Sequence, residues 1–229
     1  MKNSNLDLLI IGHAIQDTVF DENLEPNVSW GGIYNIARSF KNISKNFHKQ
    51  QLNYEIEPSV YGEALIKINR TTSSKEIIHV NLNKFYRKPV LKNAKWYHFS
   101  YLNEAEIPKG FNKLQGVKSA DLCRGKKIKN THIFDYIFLS EEEHDAKKMS
   151  TKINKTIFIS HSPSKICMWK NGKKKYEFNI SDKLNNINCL GAGDHFAASF
   201  IYSKLEYNND DKDCIIYAAK SCFEYLLLK

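Results

Sequence analysis

Residues 190–200 read LGAGDHFAASF, and the residue types in that stretch decide how the rest of the chain is read. Gly191-Ala192-Gly193-Asp194 stands immediately before residues 195–205, where apolar side chains recur at helical spacing, so small residues let the backbone curl at a helix start. The first amides of a helix lack partners within it, and with the helix dipole they suit an anion such as a phosphate. Asp194 at the mouth of the turn could accept a proton from a hydroxyl attacking that phosphate. Steric need and capping alone also put glycine and aspartate at helix starts. The longer string Gly-Ala-Gly-Asp-x-Phe-Ala-Ala-x-Phe is more specific, because it fixes the turn, the acid and the apolar helix face together.

Upstream, residues 6–11 form a short apolar run ended by Gly12, as expected of a strand buried on both faces of a parallel sheet and followed by a loop. Gly31-Gly32 precedes Ile33, Ile36, Ala37 and Phe40 at helical spacing, a second glycine turn feeding a helix. Residues 64–68 and 76–82 alternate like exposed strands around a polar turn, which predicts a hairpin at about 62–84 that would act as a lid or as a plain surface hairpin. Further strands are expected at 95–101, 117–122, 133–139 and 156–160. Another hairpin is expected around Asn171-Gly172 (165–169 and 174–178), and two C-terminal helices at 192–205 and 213–228. The order predicts one α/β domain over residues 1–229.

At 229 residues, 42% hydrophobic and 12% aromatic, the chain has material for a buried core. No apolar run approaches the roughly 18 residues of a membrane span, so no membrane partner is expected. Five scattered cysteines without a C-x-x-C pair read as reduced thiols, hence a cytoplasmic protein. A net charge of +9 attracts anions. Without an arginine-rich patch interleaved with aromatics, it argues against a nucleic-acid footprint.

The 190–200 string resembles the C-terminal signature of the ribokinase-like, or phosphofructokinase B, family of carbohydrate and nucleoside kinases. The resemblance implies a three-layer α/β/α, Rossmann-like fold with a small β lid and transfer of the ATP γ-phosphoryl group to a hydroxyl. Gly191, Ala192 and Gly193 would form the anion hole, with Asp194 as catalytic base. No Walker A motif is present, in keeping with this other way of cradling phosphate. The N-terminal half matches independently through Gly12, Asp17, Gly31, Gly32 and Asn35, although GGIYN places two residues rather than three before the asparagine. By resemblance Asp17 would bind substrate hydroxyls, the glycines would admit the substrate, and Asn35 would orient it.

Residues 135–143, DYIFLSEEE, resemble the stretch that carries the family's Asn-x-x-Glu motif, with Ser140 in place of the asparagine. Glu143 would hold Mg²⁺ through water. Where the family has Thr-x-Gly facing the ATP phosphates, the chain has Ser160-His161-Ser162-Pro163, so Ser160 and Ser162 are weaker nucleotide-binding candidates. His161 reads as an incidental loop residue. The resemblance is to a shortened member: the crossover between Tyr101 and Val117 has little room for a helix, and the chain ends one helix after the motif, on the adenine side. Two readings stay open, an ATP-dependent kinase acting on a sugar or nucleoside, or a catalytically impaired sugar- or nucleotide-binding module. Family members often pair through their lids, so a homodimer is a hypothesis.

Overall fold

A computed structural model describes residues 6–21, 24–46, 52–69, 71–72, 74–83, 88–102, 106–122, 130–181 and 187–228. Strand β1 (Leu6–Asp21) begins with the predicted apolar run, and Leu8–Ile11 are fully buried as in a central parallel strand. It does not end at Gly12. Gly12 has φ +139°, and a Cβ there would lie 2.2 Å from the Ser100 carbonyl oxygen, so the backbone bends while the strand goes on to Asp21. The expected loop is a strand because β2 (Leu24–Gly32) folds back and pairs with residues 14–21. Its side chains alternate, with Asp17 and Val19 buried and Phe20 exposed.

Helix α1 (Ile33–Asn46) buries Ile33, Ile36, Ala37, Phe40 and Ile43, the i, i+3, i+4, i+7 stripe read from sequence. Then come β3 (Tyr54–Asn69), β4 (Ser74–Asn83), β5 (Ala94–Ser100), β6 (Val117–Asp121) and β7 (Tyr136–Ser140). They are followed by α2 (Ala146–Lys152), β8 (Ile157–His161), β9 (Lys165–Lys170), β10 (Lys173–Asn179), α3 (Ala192–Tyr207) and α4 (Asp211–Leu227). The 133–139 expectation starts early, because residues 131–133 form a 3-10 turn before β7. Helix α2, not separately expected, is capped by the Asp145 carboxylate, which accepts from the Lys148 amide. Asn171 and Gly172 both have positive φ, as a two-residue hairpin turn between β9 and β10 requires.

The described strands make one sheet in the order β10-β9-β8-β7-β6-β5-β1-β3-β4, with β2 against β1. Strands β3, β1, β5, β6, β7 and β8 run parallel, and antiparallel partners lie at both edges. Helices α1, α3 and α4 pack over one face with Leu8, Phe138 and Ile159. The opposite face, with Leu9, Tyr97, Phe99 and Phe158, is covered by Phe111, Phe134 and the α2 residue Ala146. That second layer is thin. Between Gly110 and Leu114 the crossover makes a single 3-10 turn, and no α-helix occurs among its described residues.

The lid is larger than the predicted hairpin. It joins the outer halves of β1 and β3 to β2 and β4, with Asp17 opposite Ser29 and Ala64, and Val19 opposite Asn27 and Ile66. One face buries Val19, Ala64, Ile66 and Ile68 with Ile15 and Leu190 against them; the other exposes Phe20, Val28, Trp30 and Leu65. Among the described residues no helix is long and apolar enough to cross a membrane, and Cys167, Cys189, Cys214 and Cys222 are free thiols. Cys123 lies outside the described residues.

Candidate active site

Parallel strands end side by side at Ser100, Asp121, Ser140 and His161, and β1 bends at Gly12 on the same edge. Ligand sites of α/β sheets lie at this carboxyl edge. The N-termini of α1 and α3 meet there: Asn35, in the first turn of α1, donates from Nδ2 to Asp194 Oδ2 at 3.0 Å across 159 positions of sequence. Gly-Gly-x-x-Asn and Gly-Ala-Gly-Asp are thus halves of one cluster. Tyr101 approaches from the end of β5, its hydroxyl 3.5 Å from Asp194 Oδ1.

Gly191 caps α3 with φ +79°, and a side chain there would meet the Tyr225 hydroxyl at 3.1 Å. The Ala192 amide donates to the Cys189 carbonyl within the turn, and the His195 amide donates to the Gly191 carbonyl at the start of α3. Gly193 and Asp194 stand in the first turn of α3, where helix amides lack partners within the helix. Gly193 lies under the His161 ring, whose Cε1 and Nε2 would be 3.3 Å from any Cβ added at 193. Tyr225 of α4 stacks on His195 at 4.3 Å and closes this flank.

Asp194 is only 7% exposed. Burial pushes its carboxyl up to about 7, the nearby Asp121 charge adds to the rise, and the Asn35 hydrogen bond and the Lys75 and His98 charges oppose it. Burial likewise pushes Asp17 up to about 6, against the charges of Lys75 and Arg38. The Asp17 carboxylate lies over Gly31, where a Cβ would come within 2.0 Å of Oδ2. Gly32 has φ +61° and would clash at 2.3 Å with the His13 carbonyl. These glycines make room for Asp17 and for the turn into α1.

Glu143 and Ser160 line one cavity of about 330 Å³, together with Glu141, Glu142, Asp145 and Trp169. Ser162 is differently engaged: its hydroxyl and amide both bond the Lys165 carbonyl and close the β8–β9 turn. Of the Ser160-His161-Ser162 triplet, it is His161, set aside as incidental, that reaches the Gly193 turn.

Sequence reading missed His161, Tyr101, Tyr225, Lys75 and a buried network at the ends of β5 and β6. His98 bonds Asp121 through Nε2 at 3.0 Å and Ser119 through Nδ1 at 2.9 Å, and Trp96 donates to the same Ser119 hydroxyl at 2.7 Å. Isolated His and Asp residues on short strands carry no motif, so only the fold could assemble them.

The central parallel sheet, flanking helices and lid define a ribokinase-like α/β fold. No family model and no curated protein matches the sequence, but solved structures do match in shape. The ribokinase of Cryptococcus neoformans var. grubii in complex with ADP aligns at TM-score 0.68 and 12% identity, over 96% of this chain and 92% of that one. Ribokinase from Thermotoga maritima gives 0.64 and 16%, over 95% and 92%. A pyrophosphate-dependent kinase in the ribokinase family, as its sulfate complex, gives 0.62 and 14%, over 93% and 92%.

Proposed function

We propose that this chain transfers the γ-phosphoryl group of ATP to a hydroxyl of a small-molecule sugar or nucleoside. The observation that carries this is the buried Asp194 at the head of α3, held by Asn35 and flanked by the Gly193 and Asp194 amides. A carboxyl titrating near 7 is matched to accepting a proton from an alcohol at neutral pH, and the amides are oriented to stabilise the negative charge of the group in transfer. Asp17, on the lid face that packs on Leu190, would bind acceptor hydroxyls. Asn35 holds the Asp194 carboxylate and so orients the base as well as the substrate. The chain is read as a shortened family member, with losses in the crossover at residues 101–117 and on the adenine side after the 191–194 motif.

ATP is the donor in this reading, and the ADP-bound ribokinase supports it; assays with ATP and with pyrophosphate separate the two donors. Among the described residues no three His, Cys, Asp or Glu side chains converge on one metal position. Mg²⁺ is a hard ion that keeps most of its waters and binds substrate phosphates with only one or two carboxylates. Glu143, beside Ser160, would hold it through water, and the ion would neutralise phosphate charge. A homodimer through the outer lid face and a cytoplasmic setting for the free thiols complete the proposal.

Asp194→Asn should keep the circular dichroism of the wild type and lose turnover roughly 100- to 10,000-fold. Near-normal phosphorylation by this variant would remove Asp194 from the chemistry. Ligand binding with no turnover by the wild type would mark a binding module instead.

A further inference from the structure

The inner lid face carries one cation that the reading above does not use. In β4, Lys75 pairs with Ile68 of β3, which pairs with Asp21 of β1. Residues directly opposite in a sheet share a face. Ile68 is fully buried in the cluster that includes Leu190, the residue before Gly191. Lys75 is therefore on the same face of the lid as Ile68, the face that packs against Leu190. Lys67, by contrast, alternates to the outer face.

The charge of Lys75 acts on three groups on three other elements. Asp17 on β1, Asp194 on α3 and His161 on β8 all lie within reach of its field, which lowers the pKa of each. They mark the acceptor side, the base and the flank of the Gly193 turn. Lys75 makes no ion pair with the described residues and is exposed. An exposed cation thus stands on the lid face that packs against Leu190, the residue preceding the Gly191 turn.

We propose that Lys75 is a lid-borne phosphoryl ligand: its ammonium binds the oxygens of the group in transfer when the lid covers the site. This rests on the kinase reading, because it presumes that an anion binds at the head of α3. The lid would then supply positive charge to the reaction as well as exclude water, and closure and charge neutralisation would be one event.

The test uses the full chain and inorganic phosphate as probe. Calorimetric titration at low salt should find phosphate binding weakened roughly tenfold in Lys75→Ala, restored in large part in Lys75→Arg, and unchanged in the outer-face control Lys67→Ala. Equal weakening by both alanine variants would reduce the effect to net charge and overturn the proposal, as would no weakening by Lys75→Ala. Acetylation footprinting of the wild type avoids any folding defect: phosphate should protect Lys75 and not Lys67, and an unprotected Lys75 would refute the assignment. A wild type that binds no phosphate fails one step earlier, at the anion site itself, and takes this inference with it.

Discussion

Asp194 is buried for a reason that its titration exposes. A carboxyl raised to about 7 is protonated in the folded protein at pH values where the unfolded chain has released the proton, so the native state loses stability as pH rises from about 4 to 7. The carboxylate, the form able to accept a proton, becomes the major species above about pH 7. Phosphoryl transfer should therefore fall as pH drops through about 7, and Asp121→Asn, which removes the neighbouring charge, should move that midpoint downward. A midpoint unchanged in this variant would show that the pair does not interact. Gly31 supports Asp17 by having no Cβ, since one would lie 2.0 Å from the carboxylate. Gly31→Ala should raise acceptor KM several-fold with kcat less affected, as expected of a binding group displaced by a clash. Steady-state kinetics on the folded variant checks this.

At the scale of elements, the lid and the two helix starts matter most. Strands β1 and β3 each run 16 residues because they serve the core sheet first and the lid second, with a register shift just after Gly12 as the joint. The outer lid surface leaves Trp30 45% and Val28 55% exposed on strand β2. Apolar side chains on an edge strand favour pairing with another chain. Sedimentation should find a dimer in the wild type that dissociates in the Trp30→Glu, Val28→Lys double variant; a wild-type monomer at high concentration would reject lid pairing. Helix α4 acts on the site through Tyr225, stacked on His195 and turned toward the Leu190 carbonyl.

Across the molecule, the sheet holds both halves of the site in place. Asn35 and Asp194 meet because α1 and α3 pack together on one face and both start at the same strand edge. A ligand that bridges the lid and the α3 turn binds only the native arrangement, so a sugar or nucleoside together with a nonhydrolysable ATP analogue should raise the melting temperature by more than the sum of their separate shifts. Additive shifts would place the two compounds in independent sites. The charge of +9 draws anions toward the protein at low ionic strength.

The sequence alone determined what is local or periodic. It placed the glycine turns before α1 and α3, the apolar stripe of α1, the buried start of β1, the Asn171-Gly172 hairpin and the scarcity of helix after Tyr101. Each follows from φ/ψ limits or from the 2.0 and 3.6 residue periods, which neighbouring residues set by themselves. Tertiary structure decided what depends on long-range pairing. The stretch after Gly12 became a strand only because β2 and β3 offered partners, and Ser162 was drawn into a turn while His161 met Gly193. Lys75 came to share the Ile68 face of the lid only through its register in β4. The Gly-Ala-Gly-Asp turn carried its own geometry in four residues; its partners Asn35 and Tyr101 reached it through the twist and packing of a sheet that no local pattern encodes.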